Sequence, residues 1–193
     1  MSTLKHCRVP SKVRRFGLRT FIETGCERGD GIEYALSCGF EQLHSCDIVE
    51  RHVIEARERY SDVSFLSITH ADSLTFLENL PPWNIGPCFY WLDAHQPRHY
   101  DPSIEENDRN KFPILHELEL IRQRPGFERD VIMIDDLIAI KSSPRWHAGE
   151  IHEYFHVDLD FQALLESMME THIAEIDLAM EGTLTFLPRD EIE

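Results

Sequence analysis

The chain has 193 residues, 42% apolar and 28% charged. This is the composition of a folded domain with a full core, and it excludes disordered and collagen-like classes. No apolar run is long enough to span a bilayer, so no membrane partner is expected. Net charge is -16, from 35 acidic and 19 basic side chains.

The charge is uneven. Residues 1–19 carry six bases (Lys5, Arg8, Lys12, Arg14, Arg15, Arg19) and no acid, leaving 13 bases against 35 acids in the rest. Such a body repels phosphate backbones, so nucleic acid is not expected as a partner. The basic leader lacks the apolar core of a secretory signal; an anion-binding arm and a transit-like segment are open to it, and the favoured reading is a solvated helix preceding the fold. Cys7, Cys26, Cys38, Cys46 and Cys88 form no CxxC pair and are odd in number. A reducing cytoplasm is therefore the expected location.

Strand and helix patterns alternate along the chain. Arg19 to Thr24 reads as a buried strand ending at Gly25. Asp30 to Cys38 reads as a helix closed by Gly39. Gln42 to Ile48 is a second strand, and Glu50 to Tyr60 a helix with Val53, Ala56 and Tyr60 on one stripe. Val63 to Ile68 is a third strand, followed by a helix from Ser73 to Leu80 that Pro81 and Pro82 stop. Cys88 to Leu92 is a continuous apolar run, as in a central strand. Ala94 to Phe112 is polar, has no period and reads as a lid over a ligand site. Ile114 to Arg124 is a helix with Leu115, Leu118 and Ile121 or Arg122 at helical spacing. Val131 to Ile134 is another central strand, and Ser142 to Gly149 a second irregular stretch. A late helix, Phe161 to Thr171, precedes two closing strands, Ile173 to Leu178 and Thr183 to Leu187, joined by Glu181 and Gly182. The rhythm predicts an α/β fold of Rossmann-like, doubly wound type: a mostly parallel sheet, helices on both faces and an antiparallel end. The whole chain reads as a single domain.

Acidic residues stand at the ends of four strands: Asp47, Asp72, Asp93 and the pair Asp135–Asp136. Glu23 lies within the first. In a parallel sheet these ends share one edge, where clustered carboxylates require compensation by a cofactor, a metal or a cationic substrate. The alternative, helix capping, suits Asp72 or Asp47 singly but not all five positions. The first turn reads Glu23-Thr24-Gly25-Cys26-Glu27-Arg28-Gly29-Asp30-Gly31. Its glycines let a backbone approach a ligand, but the spacing is not the dinucleotide fingerprint, and Glu27 stands where a pyrophosphate would go.

Glu23-x-Gly25-x-Glu27-x-Gly29 resembles motif I of class I S-adenosylmethionine-dependent methyltransferases, in the variant of catechol O-methyltransferase-like enzymes. Asp47, 22 residues after Gly25, Ala71-Asp72-Ser73, Trp91-Leu92-Asp93-Ala94-His95 and Ile134-Asp135-Asp136 follow in the order of the remaining motifs. The string from Arg14 to Gly25 resembles a little-characterised bacterial and phage branch of that superfamily.

The resemblance implies a seven-stranded sheet whose final strand is antiparallel. It implies that Glu23, Gly25 and Gly29 cradle the methionine part of S-adenosyl-L-methionine, and that Asp47 binds the ribose. Asp72 and Ser73 would lie near the adenine, and Asp93 near the ammonium. In catechol-type and macrocin-type enzymes acids after strands four and five hold a divalent ion. Here that implies Mg2+ on Asp93, Asp135 and Asp136. Where catechol-type enzymes place a lysine, this chain has Gln96, which leaves His95 and His99 as candidate bases.

The resemblance implies methyl transfer to a small-molecule substrate, at oxygen, and leaves a homodimer open. Two alternatives stand beside it: a non-catalytic binding protein on the same fold, suggested by Glu27 and Gln96, and a nicotinamide-dependent oxidoreductase, which the glycine spacing disfavours.

Overall fold

The computed structural model describes residues 3–80, 86–137, 161–178 and 182–189. Pro81, Pro82, Ser142 to Gly149 and Glu181 lie outside them. In chain order the elements are α1 Val9–Phe16, β1 Thr20–Thr24, α2 Asp30–Cys38, β2 Gln42–Asp47, α3 Glu50–Arg59, β3 Leu66–His70 and α4 Ser73–Glu78. Then come β4 Cys88–Leu92, α5 Asp108–Lys111, α6 Ile114–Arg122, β5 Val131–Ile134, α7 Phe161–Met168, β6 His172–Asp177 and β7 Thr183–Pro188.

The strands form one seven-stranded sheet in the order β3-β2-β1-β4-β5-β7-β6. β1 pairs in parallel with both β2 and β4, and β4 with β5. β7 runs antiparallel between β5 and β6. Chain direction from β1 turns one way to β2 and β3 and the other way to β4 and β5. The strand ends at that reversal open a crevice.

Alternate residues of each central strand feed two cores. Phe21, Phe89, Trp91 and Met133 face one, with Ile32, Ala35 and Val53 from α2 and α3. Ile22, Tyr90, Leu92 and Ile134 face the other, with Phe76, Leu118 and Met168 from α4, α6 and α7. Central strands buried on both faces thus need unbroken apolar runs, as FYWL and VIMI supply.

Two expectations change. The basic leader is not a solvated prelude: Leu4, Val9, Val13 and Leu18 are buried in the core beside Ile32 and Ala35. The charges of α1 occupy its outer face, while Val9 and Val13, four residues apart, point inward. The buried stripe of α6 comprises Ile114, Glu117, Leu118 and Ile121, and the expected Leu115 is exposed.

At the opposite end of the sheet from the acids, a buried ion pair ties three segments. Arg124 Nη1 donates to Asp130 at 2.6 Å, and Arg124 Nη2 to the Gly86 carbonyl at 2.6 Å. Asp130 also accepts the Cys88 amide at 2.7 Å. The starts of β4 and β5 are thereby fixed in register below the crevice.

Candidate cofactor and acceptor site

The crevice is built from the carboxyl ends of β1, β2 and β4. Gly25 leaves β1 with φ +83°, and a Cβ there would stand 2.6 Å from the Asp93 carbonyl oxygen. Only glycine allows this approach, so the turn lies directly on the end of β4. Its amide and that of Cys26 donate to the Cys46 carbonyl at 3.0 and 2.9 Å, which ties the turn to β2 as well.

Two adjoining clefts result. The first has about 570 Å³ of empty space and is lined by Gly25, Asp47, Val49, Asp72, Ser73, Asp93 and His95, among others. The second, of about 590 Å³, is walled by Glu23, Glu27, Asp93, Trp91, Asp135 and Asp136. Gly25, Glu27, Asp93 and Tyr100 border both. Tyr100 reaches in from the segment expected to be a lid, as do Pro97 and Asn110 in the first cleft.

Asp47 is held by its own chain. Its Oδ2 accepts the Glu27 amide at 2.8 Å and faces His52 Nδ1 at 3.1 Å, while Oδ1 accepts the Val49 amide at 2.8 Å. The carboxylate thus fixes the glycine turn and the entry to α3, and borders the cleft at the same time. Asp72 caps α4: Oδ1 accepts the Thr75 amide at 3.0 Å, and Oδ2 the Thr75 hydroxyl at 2.7 Å. The capping role weighed for Asp72 is present, and Asp72 still borders the cleft. Ser73, the first residue of α4, is buried at its floor.

Glu23 lies beneath the turn, 1% exposed, and accepts the Ser45 hydroxyl at 2.5 Å. Burial pushes its carboxyl up to about 8, with the Ser45 hydrogen bond opposing and Asp47 adding to the rise. Asp93 is raised well above the usual carboxylate range. Withdrawal from bulk water at the base of the clefts is the main cause, followed by Asp135, Asp136, Glu23 and Glu27. Such crowding favours a cation or a metal.

The structure brings Asp93, His95 and Asp136 together, with one ligand atom from each inside 4.8 Å of the others. His95 Nε2 lies 2.9 Å from Asp136 Oδ2, and its Nδ1 3.8 Å from Asp93 Oδ1. The trio contains Asp93 and Asp136 of the expected set, with His95 beside them in place of Asp135. Successive residues leaving β5 diverge, and the left-handed backbone of Asp136, φ 51°, turns it to His95 while Asp135 stays in the wall of the second cleft.

Gly29 and His99 are placed elsewhere. A Cβ on Gly29 would meet the Tyr60 ring at 2.8 Å, and neither residue borders the clefts. The His99 ring stands edge-on to Tyr100 at 5.2 Å. Sequence reasoning missed His52, Tyr100 and Glu117. His52 and Tyr100 had no motif around them, and their rings meet at 5.6 Å only in the fold.

The sequence matches no protein-family model and no curated protein. Its structure does match solved ones. The O-methyltransferase TomG of Streptomyces achromogenes, solved with S-adenosylmethionine, superposes with TM-score 0.61 at 15% identity, covering 98% of this chain and 82% of that one. The methyltransferase PaMTH1 of Podospora anserina, bound to S-adenosylhomocysteine, gives 0.59 at 13%, covering 98% and 80%. An rRNA methylase of Streptococcus thermophilus gives 0.57 at 10%, covering 98% and 99%. The chain therefore has the Rossmann-like fold of the class I S-adenosylmethionine-dependent methyltransferases, with the mostly parallel seven-stranded sheet and antiparallel β7 expected of it.

Proposed function

We propose that the protein is an S-adenosylmethionine-dependent methyltransferase acting at oxygen on a small-molecule acceptor in the cytoplasm. The observation that carries this reading is the acid-walled crevice beneath Gly25, at the point where strand order reverses. The first cleft has the features for the nucleoside, with Asp47 toward the ribose and Ser73 toward the base. The carboxyls of Glu23, Glu27 and Asp93 favour the sulfonium and ammonium of the cofactor and oppose a pyrophosphate, which weighs against the nicotinamide reading. The acceptor would enter the second cleft, past Tyr100. A net charge of -16 supports a small acceptor over an RNA, whatever the activity of neighbours with this fold. Five free thiols suit a reducing compartment.

In the transfer the acceptor oxygen bonds to the methyl carbon as the carbon–sulfur bond breaks, and the hydroxyl proton leaves. We assign the proton to the His95–Asp136 pair: Asp136 borders the second cleft, and His95 Nε2 lies 2.9 Å from its carboxylate. The same donors fit a divalent ion: Asp93, His95 and Asp136 would hold it, and one imidazole with two carboxylates suits manganese, iron or zinc better than the Mg2+ of an all-carboxylate set. When bound, such an ion supplies Lewis acidity toward an acceptor hydroxyl.

Calorimetry and thermal shift test both parts. S-adenosylhomocysteine should bind and raise the melting temperature, and nicotinamide dinucleotides should not. Manganese added with S-adenosylhomocysteine should raise it further, and Asp136→Asn should remove that increment. A protein stabilised by S-adenosylhomocysteine but indifferent to manganese and magnesium uses His95 as base without an ion. A protein indifferent to S-adenosylhomocysteine is not a methyltransferase.

A further inference from the structure

The two edges of the sheet are finished differently. β3 forms one edge, and there Arg57 of α3 donates to the Ile68 carbonyl through Nε at 3.0 Å and Nη2 at 2.6 Å. β6 forms the other edge, and no element among the described residues pairs with its outer side. Its sequence, HIAEID, has neither the lysine nor the proline that blunts such edges, and its register against β7 runs without a bulge from His172 to Asp177.

The register fixes which backbone groups point outward. The Arg189 amide donates to the Thr171 carbonyl at 3.1 Å, so these two residues form a hydrogen-bonded pair. Bonded and non-bonded pairs alternate along an antiparallel ladder. Ile173, Glu175 and Asp177 therefore bond to β7, while Ala174 and Ile176 turn their N–H and C=O groups away from it. Pro188, which has no N–H, falls opposite His172, at a pair that needs none between these strands. The side chains add a second signal. Of the eight exposed large apolar side chains among the described residues, four (Met169, Ile173, Ile176 and Leu178) lie within this one short stretch. Such crowding marks an interaction surface, where scattered apolar residues would not. Glu175 and Asp177 are exposed beside them, on the face shared with Ile173.

We propose that the β6 edge docks an extended segment of a partner protein, with lysine or arginine at alternate positions, as an added strand. The outward groups of Ala174 and Ile176 hold its backbone. Its basic side chains fall across from Glu175 and Asp177, where opposite charges on neighbouring strands attract. The net charge of -16 favours the approach of such a segment. The bases of the leader do not oppose it. Arg8 and Lys12 stand on the far wall of the groove that β6 borders, and the Lys12 ammonium donates to the Cys7 carbonyl at 3.2 Å. A second copy of the chain fits this face less well. Antiparallel registers centred on Ala174, Glu175 or Ile176 set Ile173 against Glu175, Glu175 against its own counterpart, or Glu175 against Asp177. None of them matches apolar to apolar on this face.

The test measures the anisotropy of labelled acetyl-Thr-Lys-Val-Lys-Val-Lys-Thr-amide with the full chain, at about 0.15 M salt, where diffuse attraction is screened. A second peptide of the same sequence and charge carries N-methyl groups on its lysine and valine amides and cannot pair as a strand. The parent should bind the first at least about tenfold more tightly than the second. Ile176→Pro removes an outward N–H and no bond to β7, and should weaken binding about tenfold. Ala174→Pro should do the same, and decides if melting temperatures show that Ile176→Pro is not folded. Glu175→Lys combined with Asp177→Lys should lose the lysine peptide and take up its counterpart with glutamate in place of lysine. A parent that binds neither lysine peptide, or both equally, overturns the inference, as do folded proline variants that bind like the parent or a charge-reversed variant that still prefers lysine. A parent that sediments as a dimer, with a proline variant that sediments as a monomer, makes the edge an interface between copies and overturns it too.

Discussion

Gly25 shows how one missing side chain shapes the site. The 2.6 Å approach to the Asp93 carbonyl lets the turn after β1 and the end of β4 share a wall. Gly25→Ala would place a methyl group against backbone and demand a positive φ of an L-residue. The expected loss of stability is at least about 2 kcal/mol, with β1 and β4 forced apart and S-adenosylhomocysteine affinity falling in step. Urea denaturation and calorimetry on the same preparation check both. Retained affinity would mean that the ligand does not lie over this turn. At this scale the sequence was informative wherever a residue type has few uses: the glycine in the turn and the acids after strands all stand at the crevice. It was silent on Glu117, whose spacing with Leu118 and Ile121 matches any surface glutamate on an amphipathic helix. It was also silent on the approach of Asp136 to His95, which goes with a left-handed backbone at Asp136.

Among the elements, the central strands were legible because burial on both faces leaves them little freedom of composition. β3 was not: its observed span, Leu66–His70, begins later than the expected strand because Val63 still belongs to the turn, its amide bonded to the Tyr60 carbonyl. It lies at the sheet edge, with Phe65 just before it exposed, so its alternation is weak. The leader was misjudged because six charges outweigh a few apolar residues in any average. Structurally the few decide, since Leu4 is wholly buried. Leu4→Ala should cost about 2–5 kcal/mol, the range for an aliphatic side chain removed from a closed core. A change below about 0.5 kcal/mol in urea unfolding would show that the segment only rests on the domain.

The molecule as a whole carries more buried acid than its charge balance alone suggests. Glu23 is pushed up to about 8 and Glu117 to about 7, both by burial first, and Asp93 rises for the same reason. The folded chain therefore holds protons that the unfolded chain releases near pH 4.5. The proton count of the unfolded state is the lower one across this window, so stability falls as pH rises from about 4.5 to 8. Melting temperatures should be higher at pH 6 than at pH 8, and Glu23→Gln should flatten the curve and raise its alkaline end. A parent curve that climbs toward pH 8 would contradict these assignments.

The carboxylates lining both clefts also give the proposed reaction a direction. Its cofactor arrives as a sulfonium and departs as an uncharged thioether, so the transfer deletes the one charge on the reacting centre that these walls attract. What has reacted is held less firmly than what has yet to react, and the spent molecule is released by its own neutralisation. Added salt should therefore weaken S-adenosylmethionine more than S-adenosylhomocysteine, and Asp93→Asn should narrow the gap between them. On this view the acidic wall works as an exit valve, set by the same groups that admit the cofactor.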